Sequence, residues 1–201
     1  MKSKTSTIVL TVVLAIAAIA LVIVIWAIGA RNSLVRIEEN VEKQWSQVEN
    51  VYQRRADLIP NLVNTVKGYA NHEQETLTQV VEARSKASSV NIDPSNMNES
   101  SLANFEAAQG ELSSAISRLM VVIERYPDLK ANQNFMMLQS ELEGTENRIS
   151  VERKKFNEVT QEYNTAIRYF PKNIIARRMG LEKKPYFTAQ AGANVAPVVE
   201  F

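Results

Sequence analysis

Residues 135–170 read FMMLQSELEGTENRISVERKKFNEVTQEYNTAIRYF, and the spacing of bulky side chains in this stretch decides the fold class. Phe135, Leu138, Leu142, Thr145, Ile149, Glu152, Phe156, Val159, Tyr163, Ala166 and Phe170 follow one another in alternating steps of three and four. Only Thr145 and Glu152 interrupt the apolar series. Such steps draw one stripe along an α-helix, whereas a strand would alternate every second residue. Pro171 cannot supply the amide hydrogen that continuation requires, so the spacing predicts a helix running to Phe170.

The same rhythm recurs upstream. Leu102, Phe105, Gln109, Leu112, Ile116, Leu119, Ile123 and Tyr126 form a third helix that Pro127 ends. A shorter second helix carries Leu77, Val80 and Val81 and fades into the polar stretch 86–101, where Asp93-Pro94 marks a loop. The first helix shows Leu34, Ile37, Val41, Val48 and Val51, with Gln44 intruding on the stripe and Trp45 adding bulk beside it. Pro60 deprives the Ala56 carbonyl of its donor, which predicts a kink or a restart before Leu62, Val63 and Val66 resume the apolar face. Gly68 has the position of a C′ residue, and Asn71 with Gln74 resembles a helix start. Heptad stripes on consecutive helices with short breaks predict an all-α fold, an antiparallel four-helix, coiled-coil-like bundle over residues 31–171.

Ahead of the bundle, residues 8–30 (IVLTVVLAIAAIALVIVIWAIGA) carry no charge. As a helix this run reaches about 35 Å, enough to cross a hydrocarbon layer of about 30 Å. A cleaved signal sequence has an apolar core of about 7–15 residues, and this run is much longer. The expectation is therefore an uncleaved N-terminal anchor, residues 1–30, whose span includes Ile8, Leu14, Leu21, Trp26 and Ala30. Trp26 suits the headgroup level near its far end. Lys2 and Lys4 on one side balance Arg31, Arg36 and Lys43 on the other, so charge leaves the orientation open.

An antiparallel bundle that leaves the bilayer on its first helix returns on its fourth. Residues 172–184 should then lie near the headgroups, with Lys172, Arg177, Arg178, Lys183 and Lys184 as candidate contacts to anionic lipid. Residues 172–201 form a basic amphipathic segment followed by an extended tail. Tyr186, Phe187, Val198, Val199 and Phe201 make that tail less polar than a disordered one, and they are candidates for docking onto the bundle or a neighbouring subunit.

The composition excludes much chemistry. The chain has 201 residues, no Cys and one His, so no thiolate site, disulfide framework or histidine-rich metal centre can be built. A di-iron bundle requires Glu-x-x-His on two helices, which a single His72 cannot provide. A net charge of +1 gives no basic surplus for nucleic acid. The carboxylates Glu141, Glu143 and Glu146, near Arg148 and the basic run 153–155, read as a solvated helix face. Polar residues inside the seams (Gln109, Thr145 and Glu152) more often set register than perform reactions. No catalytic residue, cofactor site or metal site is expected. Arg54, Arg55, Asp57, Pro60, Asn61 and Asn64, around the proline, are the candidates for specific contacts.

Several ordered blocks resemble the bacterial LemA family. The longest is QRRADLIPNLVNTVKGYA at residues 53–70; YPDLKAN at 126–132, LEGTENRI at 142–149, Tyr163-Asn-Thr, Phe170-Pro171, KPYF at 184–187 and the terminal Phe201 accompany it. The resemblance covers essentially the whole chain. It implies a single-pass membrane protein with an antiparallel helical bundle, commonly pictured in the cytoplasm, and supplies no catalytic residues to carry over. The expected function is a non-enzymatic, membrane-anchored scaffold or interaction protein of the bacterial envelope, in the inner membrane, that self-associates through its bundle and tail. The alternatives are a single-span sensor whose helices respond to a membrane event or ligand, and an accessory subunit of an envelope enzyme. The expected partners are the lipid bilayer, a second copy of the chain and an unidentified envelope protein, with no nucleic acid.

Overall fold

A computed structural model describes residues 2–70 and 72–188. The fold is all-α: α1 Lys2–Lys67, α2 Gln74–Ser89, α3 Glu99–Ile123, α4 Pro127–Lys130, α5 Gln133–Ala166 and α6 Lys172–Met179, with a 3-10 turn at Pro94–Asn96. The chain divides into two compact units. One comprises Met1–Asn40 with Gln161–Lys183, the other Val41–Thr160 with Lys184–Phe201, and α1 and α5 each contribute to both.

In the second unit, paired residues fix the directions of α1, α2, α3 and α5 relative to one another. On α1 and α5, Gln44 meets Glu152 and Arg55 meets Glu146, so numbers rise on one as they fall on the other. Lys86–Glu111 and Glu73–Arg125 give the same opposition at α2 and α3. Tyr52 packs on Phe105 and Arg55 bonds Gln109, so α1 and α3 run the same way. The unit is thus an up-down-up-down bundle, the arrangement short connections favour.

Its core has two sections. Leu58, Ile59, Leu62 and Val66 from α1, Leu77 and Val80 from α2, Leu112 and Leu119 from α3, and Phe135 and Leu142 from α5 form one aliphatic cluster. An aromatic section surrounds Trp45, fully buried, with Phe105 and Phe156 edge-on at 5.3 and 5.5 Å and Phe187 stacked at 6.0 Å.

Several boundaries differ from the sequence expectation. α1 passes through Pro60 without restarting, and the Ala56 carbonyl that the proline orphans accepts a hydrogen bond from Arg84 Nε at 2.7 Å instead. Gly68 follows the last residue of α1, but among the described residues the left-handed glycine is Gly180, φ 73°. α2 begins at Gln74 after Glu73, and Asn71 lies outside the described residues. The polar stretch 86–101 is largely ordered. α2 persists to Ser89, and Asn98 and Ser101 cap α3 reciprocally, each side chain bonded to the other's backbone. Val81 faces solvent beside the buried Val80. α5 stops at Ala166, four residues short of Phe170, which is 81% exposed rather than on the stripe.

In the first unit, Ile8, Leu14 and Leu21 are about three-fifths exposed and Trp26 is 40% exposed, whereas Ala30 and Leu34 are buried. A helix that is apolar all round and packed against nothing is made for hydrocarbon, and protein packing starts where the run ends. α1 holds a stretch long and apolar enough to cross a membrane. α6 ends at Gly180, whose amide and that of Leu181 return to the carbonyls of the last turn, a Schellman-type stop.

Candidate functional site

The polar residues on the seams find one another. Continuing the α1 stripe past Val51 in steps of four and three lands on Arg55, Leu58 and Leu62, which places Arg55 inside the second unit. Its side chain is 2% exposed. Nη1 donates to Ser113 Oγ at 2.8 Å and to Glu146 Oε1 at 2.7 Å. Nη2 donates to the Gln109 carbonyl at 3.3 Å and to Gln109 Oε1. The guanidinium also stands over the Tyr52 ring, 5.1 Å from its centre. Gln109 in turn donates through Nε2 to the Ala87 carbonyl, so one guanidinium and one amide tie α1, α2, α3 and α5 together.

A second set lies further along α1 and α5. Gln44, the intruder on α1, donates to Glu152 Oε2 at 2.7 Å, and Lys155 donates to Oε1 at 2.8 Å. The Lys155 hydrogen bond leads the effects that hold the Glu152 carboxyl below its ordinary range, against the opposing pull of burial, with Gln44 assisting. Glu152 is therefore an ionised, paired carboxylate. Thr145 satisfies its hydroxyl on the Glu141 carbonyl of its own helix at 2.7 Å.

An open cleft of about 810 Å³ adjoins this network, lined by Tyr52, Arg55, Ser113, Arg118, Glu146 and Arg153. Arg153 bonds Glu106 at 2.6 Å and the Thr188 carbonyl at 2.9 Å, and its guanidinium covers the Phe187 ring at 4.6 Å. Burial pushes the Tyr52 phenol above its ordinary value, with Arg153 and Arg55 opposing. Of the donors facing this cleft, Arg55 Nη1 and Nη2, Arg153 Nη2 and the Ser113 hydroxyl are committed to protein acceptors. The arrangement fixes helix register and holds the tail, and no nucleophile–base pair is assembled from these groups.

Among the other candidates near Pro60, Arg55 alone turns inward. Arg54, Asp57, Pro60, Asn61 and Asn64 are exposed, with Arg54 3.8 Å from Glu141 and Asp57 accepting from Gln53 on its own helix. His72 is exposed as well, and no cluster of metal-ligating side chains occurs among the described residues.

The tail residue Phe187 docks through backbone and ring together. Asn157 accepts its amide at 2.9 Å and donates to its carbonyl at 3.0 Å, completing the same two bonds a strand neighbour would make. Tyr186 is half-buried, while Val198, Val199 and Phe201 lie outside the described residues. Lys184 departs from the expected headgroup role. It is buried, and its ammonium donates to the Pro94 carbonyl at 2.7 Å within the second unit, so it is spent on protein rather than offered to lipid.

In the first unit, Lys172 Nζ donates to Ser33 Oγ at 3.1 Å, which seats the start of α6 beside the part of α1 that follows the apolar run. Arg177, Arg178 and Lys183 are exposed. Tyr163 is buried and donates to the Glu182 carbonyl at 3.0 Å. Burial raises its phenol well above the ordinary range, with Glu38 and Glu182 adding to the effect.

Comparison with known proteins gives a consistent picture. The chain is 25% identical over 162 residues to Protein LemA of Metamycoplasma hominis, covering 81% of this chain and 70% of that one. It is 26% identical over 192 residues to the magnetosome protein MamQ of Magnetospirillum gryphiswaldense, covering 87% and 71%. With magnetosome protein MamQ 2 of Paramagnetospirillum magneticum the identity is 25% over 185 residues, covering 84% and 68%. The LemA family model matches residues 44–201, which takes in α2 to α6 and the Arg55 network, and the chain is a member of the LemA family.

Proposed function

We propose that this protein is a membrane-anchored, non-enzymatic interaction protein of the bacterial envelope, held in the inner membrane by α1, that self-associates and presents its bundle to a partner. The observation that carries this reading is α1 itself. One unbroken helix, Lys2–Lys67, is apolar on all sides over residues 8–30 and then supplies a core stripe to a packed bundle. That construction supports reading α1 as both an anchor and part of a binding scaffold. The seam polar groups support the reading, because Arg55, Gln109, Gln44 and Glu152 are consumed in bonds to each other and to the backbone. The relatives named as magnetosome proteins support an envelope setting. The basic α6 segment favours the cytoplasmic side, where anionic lipid is concentrated.

Crosslinking of the full chain in intact membranes, read by mass spectrometry, tests the proposal. Links that join two copies of the same residue are expected, since they arise only between copies. Recovery of monomer alone, with every link intrachain, would overturn self-association. Turnover of an ester, peptide or nucleotide that one point substitution abolishes would overturn the non-enzymatic reading.

A further inference from the structure

The segment leading into α6 shows apolar side chains that the first unit leaves uncovered. Tyr169 is 67% exposed, Phe170 81% and Ile174 56%. Within α6, Ile174, Arg177 and Arg178 are spaced three and one apart, so aliphatic and basic groups share one outward side while Ala176 faces inward and is buried, and the exposed Tyr169 and Phe170 lie in the turn just ahead of the helix. From residue 168 to 183 five basic residues accompany a single acid, Glu182. A solvated turn has no use for two bare rings and an isoleucine, and their position says what covers them. Lys172 is bonded to Ser33, and Ser33 lies three residues beyond Ala30, about 4.5 Å of helix rise past the end of the apolar run. Phe170 is two residues from Lys172. This height along α1 is the headgroup layer if residues 8–30 fill the hydrocarbon.

We propose that Tyr169, Phe170 and Ile174 form a second lipid contact, an interfacial wedge that seats in the headgroup and upper acyl region while Arg177 and Arg178 engage anionic headgroups. Aromatic rings favour that depth, and basic residues beside an apolar face favour anionic lipid. The wedge joins α6 to the bilayer independently of the span, so the chain meets the membrane at two points. The inference rests on α1 being the membrane span.

The absence of native cysteine makes the test direct. Single nitroxides are placed at Phe170→Cys, at Ile174→Cys with both rings kept, and at Val22→Cys within the span, in the full chain reconstituted in vesicles of phosphatidylcholine with phosphatidylglycerol. Collision with oxygen reports lipid and collision with a water-soluble nickel chelate reports water. The expected result is loss of nickel access at 170 and 174 with oxygen access retained, and partial return of nickel access when Arg177→Gln and Arg178→Gln are added. Nickel access at 170 and 174 equal to that of free label, with Val22→Cys lipid-exposed, would overturn the wedge and leave the span standing. Shielding from both reagents with spin–spin broadening would assign the patch to a second copy and also overturn it. Nickel access at residue 22 would overturn the span reading and the wedge together.

Discussion

Two stretches of α1 are built from the same aliphatic residues and do opposite things with them. Leu14 and Leu21 in the first stretch are 60% exposed, whereas Val48 and Leu62 in the second are fully buried. The difference lies in arrangement. Residues 8–30 are apolar on every side, which leaves no face for water, while residues 41–66 confine apolar groups to a stripe and leave Gln47, Arg54 and Asn61 outside. The first stretch has lipid for solvent and gains little from neighbours. The second has water and depends on them.

Truncation should therefore hurt one stretch and spare the other. Trp45→Ala removes the ring that Phe105, Phe156 and Phe187 surround and should lower the unfolding free energy of the full chain in detergent by about 3–5 kcal/mol. Leu14→Ala, with no protein packed on it, should leave the same transition unmoved. Denaturant unfolding followed by far-UV circular dichroism reads both. Equal losses at the two positions would break the comparison.

The sequence made the helices legible because heptad stripes report which face is inside. The stripes on α3 and α5 predict the buried Leu112, Leu119, Phe156 and Tyr163. Partners were not legible, because periodicity gives a face and no register. Gln44 and Glu152 both stand out as intruders in the sequence, yet nothing in either stripe says that they meet, 108 residues apart. Arg55 was visible in part: the stripe, extended past Val51, points at it, but its arginine identity suggests surface until Gln109, Ser113 and Glu146 supply acceptors. Boundaries failed where side chains override local signals, as when Asn98 starts α3 inside a stretch whose composition reads as loop. Phe170 failed for a different reason. An aromatic in step with a heptad looks like core, and only the end of α5 at Ala166 shows that it belongs to another surface.

Within the water-facing stretch, the comparison sharpens at Arg55. Replacing it with Met keeps the bulk but leaves the buried Gln109 Oε1 without its donor, while the Ser113 hydroxyl and the Gln109 carbonyl still bond each other, and the loss should cost about 1–3 kcal/mol. Glu146→Gln removes charge from a partner that is 49% exposed, and water screening should hold that loss under about 1 kcal/mol. The same unfolding measurement ranks them. A larger loss for Glu146→Gln would mean that the ion pair, and not the hydrogen-bonded network, holds the seam.

A smaller effect than that of Arg55 concerns how the second stretch of α1 tolerates Pro60. A proline inside a helix leaves the carbonyl four residues earlier without its amide, and here Arg84 Nε fills that role for Ala56. Arg84→Ala should thus cost about 1 kcal/mol in the native chain, where the half-buried carbonyl loses its donor. In a Pro60→Ala background the residue 60 amide can close the ordinary helical bond, so the same Arg84→Ala change should cost measurably less. The predicted sign of the coupling is that restoring the amide makes Arg84 dispensable. A double-mutant cycle on the unfolding free energies isolates that term from the helix-propensity gain of removing proline, because the gain appears on both sides of the cycle and cancels. Strict additivity would show that Arg84 serves α2 alone, and that α1 carries an orphaned carbonyl through Pro60 without help from another helix.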